Sequence, residues 1–203
     1  MTVLRKTLLA SMMISCGLLS QTALASAEHM VVAVQQLPPT VEPQGINNNA
    51  IERVVSSIYE TLIYADTHTG EMKPGLAESW KRISPETVEF KLRKGVKFHE
   101  GQTLTAKDVA FSLNRALEPS SQFKNNMLGI KSAKALDDYT VLVETVSATP
   151  VFFRQLIDVR IINYEWAKAH GALHPQNASA NEESFMARHA NGTGHFKLES
   201  REV

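Results

Sequence analysis

Cysteine is almost missing: the 203 residues contain one, Cys16. A single thiol excludes an internal disulfide, and without a CxxC pair a cysteine-built metal site is excluded too. Excess charge is missing as well, with 21 basic residues against 21 acidic, so nothing favours a nucleic-acid partner. The chain has no HExxH pair, no GxSxG elbow, no internal repeat and no low-complexity stretch, which removes the sequence signs of a zinc protease or a serine hydrolase. The longest apolar stretch, residues 7–19 ("TLLASMMISCGLL"), is shorter than the about 20 residues needed to cross a bilayer. What remains is a chain with 43% hydrophobic residues, the composition of an ordinary globular protein.

The apolar stretch follows Arg5 and Lys6 and is itself followed by small residues, the layout of a secretory signal over residues 1–27. Ala23-Leu24-Ala25 and Ala25-Ser26-Ala27 both suit a signal peptidase, so the mature chain begins at Ser26 or Glu28. Lipidation of Cys16 is disfavoured, because apolar Gly17-Leu18-Leu19 follows where a lipoprotein turns polar. If Cys16 leaves with the signal, the exported protein rests on its apolar core alone. Its net charge is then −2, with 19 basic residues left against 21 acidic.

Along the mature chain the apolar run at 30–34 predicts a buried strand ended by Gln35-Gln36 and the prolines beyond. Ile51, Val54, Val55, Ile58 and Leu62 recur at helical spacing and predict a helix over 49–62, capped by Asn47 to Asn49. Turns are expected at 66–70 and 74–75, then an aromatic cluster ending at Trp80. Strict alternation over 87–93 predicts a half-buried strand that resumes at Val96 and Phe98. Thr105 and Asp108 form a capping box ahead of the stripe Ala106, Val109, Leu113, Ala116 and Leu117. Further on, 130–135 and 140–146 read as a hairpin about Asp137-Asp138. A short helix from Pro150 to Leu156, a brief strand at 160–162, a helix over 164–170 stopped by Gly171, and a strand beginning at Phe196 and Leu198 complete a mixed α and β chain.

Lys91, Arg93, Lys94, Lys97 and His99 form a basic cluster in "FKLRKGVKFHEG". Its alternation turns Phe90, Leu92, Val96 and Phe98 inward and the cations outward, so it reads as a solvated strand face rather than a phosphate platform. His170 and His174 have the four-residue spacing of two metal ligands, but Gly171 and Pro175 break the helix that would present them. "GTG" at 192–194 lacks the third glycine of a phosphate loop and precedes a strand instead of following one. The glycosylation triplets at Asn177 and Asn191 carry no weight.

Four stretches in order, "YETL" at 59–62, "PGLAESW" at 74–80, "FKLRKGVKFHEGQTLTAKDVAFSLNRAL" at 90–117 and "GTGHFKL" at 192–198, resemble the family 5 extracellular solute-binding proteins of ABC importers. That group includes dipeptide, oligopeptide, nickel and opine binders. The family usually has Pro after the second Gly of the last motif, where this chain has His195, and loss of Pro frees φ there. The resemblance implies a periplasmic binding protein-like bilobal α/β fold with an early inserted α+β domain. Residues 28–45 would begin the first lobe, 46–184 would form the inserted domain, and 185–203 would return to the first lobe. Family members are more than twice this length, so the chain is expected to be an N-terminal fragment without the second lobe.

The resemblance further implies a monomeric periplasmic receptor that binds a small solute, a peptide, and hands it to an ABC permease in the inner membrane. It needs no catalytic residue, metal, cofactor or nucleic acid. Gln35, Gln36 and Leu37 are the residues expected to face the ligand cleft, because ligands gather at strand ends between lobes. Two other readings stay open at this point: an exported metal-dependent hydrolase holding zinc through His170, His174 and Glu182, and a truncated product without function. The export reading is checked by the intact mass of the secreted protein, which is expected to begin at Ser26 or Glu28. A secreted product that still contains Cys16 counts against it.

Overall fold

The computed structural model describes residues 38–177 and 183–202. The expected strand at 30–34 and the whole of 1–27 lie outside these residues. The described elements are α1 (Asn49–Ile58), β1 (Ile63–Ala65), β2 (Met72–Pro74), β3 (Ala77–Ser84), β4 (Thr87–Leu92), α2 (Ala106–Ala116), β5 (Ile130–Asp137), β6 (Thr140–Thr145), α3 (Phe152–Leu156) and α4 (Tyr164–Ala169). Strands β1 and β2 pair as a small hairpin, and β3-β4-β6-β5 form a four-stranded antiparallel sheet.

The alternation at 87–93 became β4: Val88, Phe90 and Leu92 are buried, and the cations between and after them are exposed. Those three, with Val141 and Val143 of β6, cover one face of the sheet, and α2 lies on it through Ala106, Val109, Leu113 and Ala116. Phe152 and Leu156 of α3 fill the same core. The hairpin about Asp137-Asp138 and the short helices α3 and α4 form as expected, and Gly171 ends α4 with φ of 66°. A second core gathers Ile51, Val55 and Ile58 of α1 with Val41, Tyr59, Ile162, Trp166 and Met186.

Four expectations need correction, because backbone groups found partners that the local pattern assigned elsewhere. Helix α1 stops at Ile58, Tyr59 is extended, and residues 60–62 leave the helix. There the Glu60, Thr61 and Leu62 carbonyls accept from Ile161, Leu76 and Ala77. The aromatic cluster ending at Trp80 continues as β3 to Ser84, with Trp80 opposite Phe90. Residues 96–99 are not a strand: a single bridge, Lys97 to Thr103, closes a turn there. Residues 160–162 and 196–198 form no strand: Ile161 donates to the Glu60 carbonyl and Phe196 to the Ser57 carbonyl at 3.1 Å, outside any ladder.

Helix α2 is buried on a second, polar stripe as well. Asp108, Ser112 and Arg115, spaced four and then three residues apart, are all buried, the spacing that aligns side chains on one helical face. The Asp108 carboxylate accepts from Thr105 N–H at 2.8 Å, closing the capping box, while its other oxygen accepts from Asn163 Nδ2 at 3.0 Å and Tyr164 N–H at 2.8 Å. Ser112 Oγ accepts from Ile162 N–H at 2.8 Å. The helix thus sits on the sheet with one face and organises the irregular segments with the other. Asp108→Ala removes a cap and orphans buried donors, so it is expected to lower stability by about 3 kcal/mol in urea denaturation; a loss below about 1 kcal/mol would mean the polar stripe is incidental.

Candidate functional site

Gln35, Gln36 and Leu37 lie outside the described residues, and the segment that follows them directly begins at Pro38. Thr40, Val41, Glu42 and Gln44 are buried in a strap with no regular secondary structure. Irregular backbone in the interior needs side-chain partners, and α2 supplies them. Arg115 Nη1 donates to Glu42 Oε1 at 2.7 Å and to Gln44 Oε1 at 3.0 Å, while Nη2 donates to the His174 carbonyl at 2.9 Å. Gln44 Nε2 donates to the Ser112 and Arg160 carbonyls at 3.0 and 3.3 Å.

Both side chains of the Arg115 and Glu42 pair are fully buried. Glu42 Oε2 and Arg115 Nε have no hydrogen-bond partner, so the pair is held by charge as much as by satisfied geometry. Gly45 follows because a Cβ there would collide with the Glu42 carboxylate. Beyond the strap, Val41 N–H donates to the Ala187 carbonyl at 3.1 Å and Arg201 Nη2 donates to the Pro38 carbonyl at 2.7 Å. The chain leaving the expected cleft loop is therefore fastened at Pro38, Val41, Glu42 and Gln44.

The four stretches that looked like family signatures meet at one junction. Gly75, Leu76 and Ala77 of "PGLAESW" donate to the carbonyls of Leu62, Thr61 and Leu62 in "YETL". Gly194 of "GTG" donates to the Ile58 carbonyl at 2.8 Å. His99, from the turn after β4, donates through its backbone to the Gly192 carbonyl at 2.9 Å and through Nε2 to the Gly194 carbonyl at 2.8 Å. Asn191, fully buried, accepts from Glu100 N–H and donates to Gln102 Oε1, both at 3.1 Å. A Cβ on Gly194 would stand 2.5 Å from the Ser57 carbonyl oxygen. The glycines serve close backbone packing, and the segment lacking the family's proline is held by these bonds instead.

His99 consequently is not a free member of a wet strand face, as alternation suggested; it is half-buried in the junction. Lys91, Arg93, Lys94 and Lys97 are exposed as expected. Lys91 and Lys81 flank Glu89 at 3.8 and 3.2 Å, and Lys134 pairs with Glu144 at 3.1 Å, so the outer sheet face is ion-paired rather than a bare cationic field. Tyr59 is buried beneath the junction, and burial first, then the nearby Glu42 charge, push its phenol above the ordinary range and keep it protonated.

The two histidines considered as metal ligands have separate partners. His170 Nδ1 donates to the Trp166 carbonyl at 2.8 Å and its ring stacks on Phe185 at 4.2 Å, while His174 Nδ1 faces Glu118 at 2.7 Å. Glu182 lies outside the described residues, and among the described residues no cluster of three His, Cys, Asp or Glu side chains could hold an ion.

Sequence reasoning missed Glu42, Gln44, Ser112, Arg115 and Asn191. The usable signal was Asp108, Ser112 and Arg115 at helical spacing on the face flanking the apolar stripe; for Glu42 and Asn191, whose partners lie 73 and 91 residues away, the sequence carries no local sign.

Residues 71–203 match the family described as bacterial extracellular solute-binding proteins, family 5 Middle. The glutathione-binding protein GsiB of Escherichia coli K12 is 32% identical over 139 residues, 66% of this chain and 27% of GsiB. MoaA from A. tumefacien R10, solved with mannopinic acid, has 27% identity and a TM-score of 0.69, covering 80% of this chain and 32% of MoaA. DppA from Helicobacter pylori, solved with the peptide STSA, has 27% identity and a TM-score of 0.63, covering 78% and 34%. The chain thus spans about a third or less of the length of these relatives. The fold is that of periplasmic binding proteins, in the portion the chain covers.

Arg115→Ala strands the Glu42 carboxylate without its cation, and a loss of about 3–5 kcal/mol is expected from chemical denaturation, with much of it recovered in the double variant Glu42→Leu, Arg115→Met. A single variant that melts like the parent would show that the strap is held by other contacts.

Proposed function

Because the chain belongs to family 5 of the bacterial extracellular solute-binding proteins, we propose that it is the early portion of a periplasmic receptor that binds a small peptide. The receptor delivers the peptide, chemically unchanged, to an ABC permease in the inner membrane. The observation that carries the peptide is the pairing of GsiB, a glutathione-binding protein at 32% identity, with DppA, solved around the peptide STSA at 27%. MoaA, solved with mannopinic acid at the same 27% identity as DppA, makes an opine-like acid the alternative ligand.

On this reading residues 28–45 and 185–203 belong to the first lobe and 46–184 to a domain inserted in it. The Val41 to Ala187 backbone bond and the Arg201 to Pro38 bond support the pairing of the two flanking segments. The cleft role of Gln35, Gln36 and Leu37 follows on this reading from their place in the chain immediately before the first-lobe segment that begins at Pro38. Members of this family bind by enclosing a solute, and a hinge site needs two walls, so the receptor works through the longer polypeptide that its relatives possess.

A thermal-shift screen of the polypeptide encoded by the whole reading frame, with di- to tetrapeptides, glutathione, opine-like acids and nickel, is expected to show stabilisation by a peptide, about 2.7 kcal/mol at a hundredfold excess over Kd. Stabilisation by an opine or by nickel with no response to any peptide would replace the peptide reading and keep the receptor reading. Metal-dependent turnover of a peptide would overturn both.

A further inference from the structure

The junction rests on two neighbouring residues that make a chemically labile pair. Asn191 is needed as an amide: it is fully buried, its side-chain oxygen accepts from Glu100 N–H and its side-chain nitrogen donates to Gln102 Oε1, both at 3.1 Å. An acid there would lose the donor. Gly192 is needed without a side chain, because a Cβ would overlap the Ile58 carbonyl. Asn followed by Gly occurs nowhere else in the chain.

In an open chain an Asn-Gly step deamidates spontaneously, since no Cβ shields the glycine nitrogen from the side chain before it. The Gly192 main-chain nitrogen, having given its proton to solvent, attacks Asn191 Cγ. The Cγ–Nδ2 bond breaks, and ammonia leaves after taking a proton back, which closes a five-membered imide. Water then opens the ring at either carbonyl and leaves aspartate or isoaspartate, with no change of oxidation state.

The closed junction withholds each requirement. Both ends of the Asn191 amide are tied to the turn at 100–102, which is itself closed by Gly101 N–H to the Phe98 carbonyl at 2.9 Å and by the Lys97 to Thr103 bridge. Cγ therefore cannot swing onto the Gly192 nitrogen without breaking two hydrogen bonds, and a reaction needs its atoms aligned. Asn191 and Gly192 are both buried, which keeps away the water that must accept the proton and open the ring.

We propose that Asn191 is a deamidation site that the closed junction silences and the open chain exposes, and that the product cannot rejoin the junction. Isoaspartate carries the main chain through Cβ and adds about 1.5 Å of chain ahead of Gly192. Gly192 has no room beside Ile58, and its carbonyl must still meet His99 N–H while Gly194 N–H meets the Ile58 carbonyl. Aspartate instead sets a buried carboxylate against Gln102 Oε1 where a donor stood. The modification thus records time spent unfolded and is kept on refolding. The proposal does not depend on the identity of the solute.

Peptide mapping by mass spectrometry tests it on the full chain aged at neutral pH, in native buffer and in urea. Asn191 is expected to convert at least about tenfold more slowly in native buffer, because the reaction draws only on the open fraction. Gln102→Ala frees Nδ2 and is expected to raise the native rate about threefold or more while leaving the rate in urea unchanged. Equal rates for the parent in the two conditions, or a native rate for folded Gln102→Ala no higher than the parent's, overturns the proposal. If circular dichroism shows that Gln102→Ala does not fold, the product decides. Parent aged in urea, refolded and separated by ion exchange is expected to exchange its His99 and Gly194 amides at least about tenfold faster in the deamidated fraction than in the unmodified one. Equal protection in the two fractions overturns the proposal.

Discussion

The ion pair between Arg115 and Glu42 is the constraint on which the described structure turns. Each charge is removed from water at the cost of several kcal/mol, about what a well-placed partner returns, so the pair adds little net stability. What it adds is position. Arg115 also holds Gln44 and the His174 carbonyl, so one side chain fixes the strap at 38–45, the last turn of α2 and the loop after α4 relative to one another. Moving any of these would leave a buried charge uncompensated, which makes misplacement far more costly than the correct arrangement is favourable.

The residues that identify the family are joints in this structure. "YETL", "PGLAESW", the turn after β4 and "GTG" exchange main-chain hydrogen bonds over a few residues, and the glycines are where a side chain would not fit. Such motifs are restricted because several backbones must approach at once. That explains how they announce a family without specifying a solute: what they fix is main-chain packing.

Much of the fold could be read locally. β4 was legible because its two faces meet different solvents, so alternation survives in Val88, Phe90 and Leu92. α2 was legible because Thr105 and Asp108 sit three residues apart ahead of an apolar stripe. β3 was not, because only Trp80 marks its inner face and the register with Phe90 decides the rest. The end of α1 was misjudged for a similar reason: Leu62 continues the helical spacing, yet the carbonyls from Glu60 to Leu62 are claimed by Ile161, Leu76 and Ala77. The basic cluster was read correctly for its lysines and wrongly for His99, whose imidazole finds its acceptor 95 residues away.

The sequence by itself determined the family, the mixed α and β class and the inward faces of β4 and α2, because these follow from periodicity, caps and motif order, which act over a few residues. Only the tertiary structure decided where the unpaired main chain goes: the strap at 38–45, the segments after α1 and after Gly194, and the bonding of Ala133 in β5 to Asn114. Each depends on a polar group meeting its partner from a remote part of the chain, and burial makes that partner obligatory without leaving any trace in the local pattern.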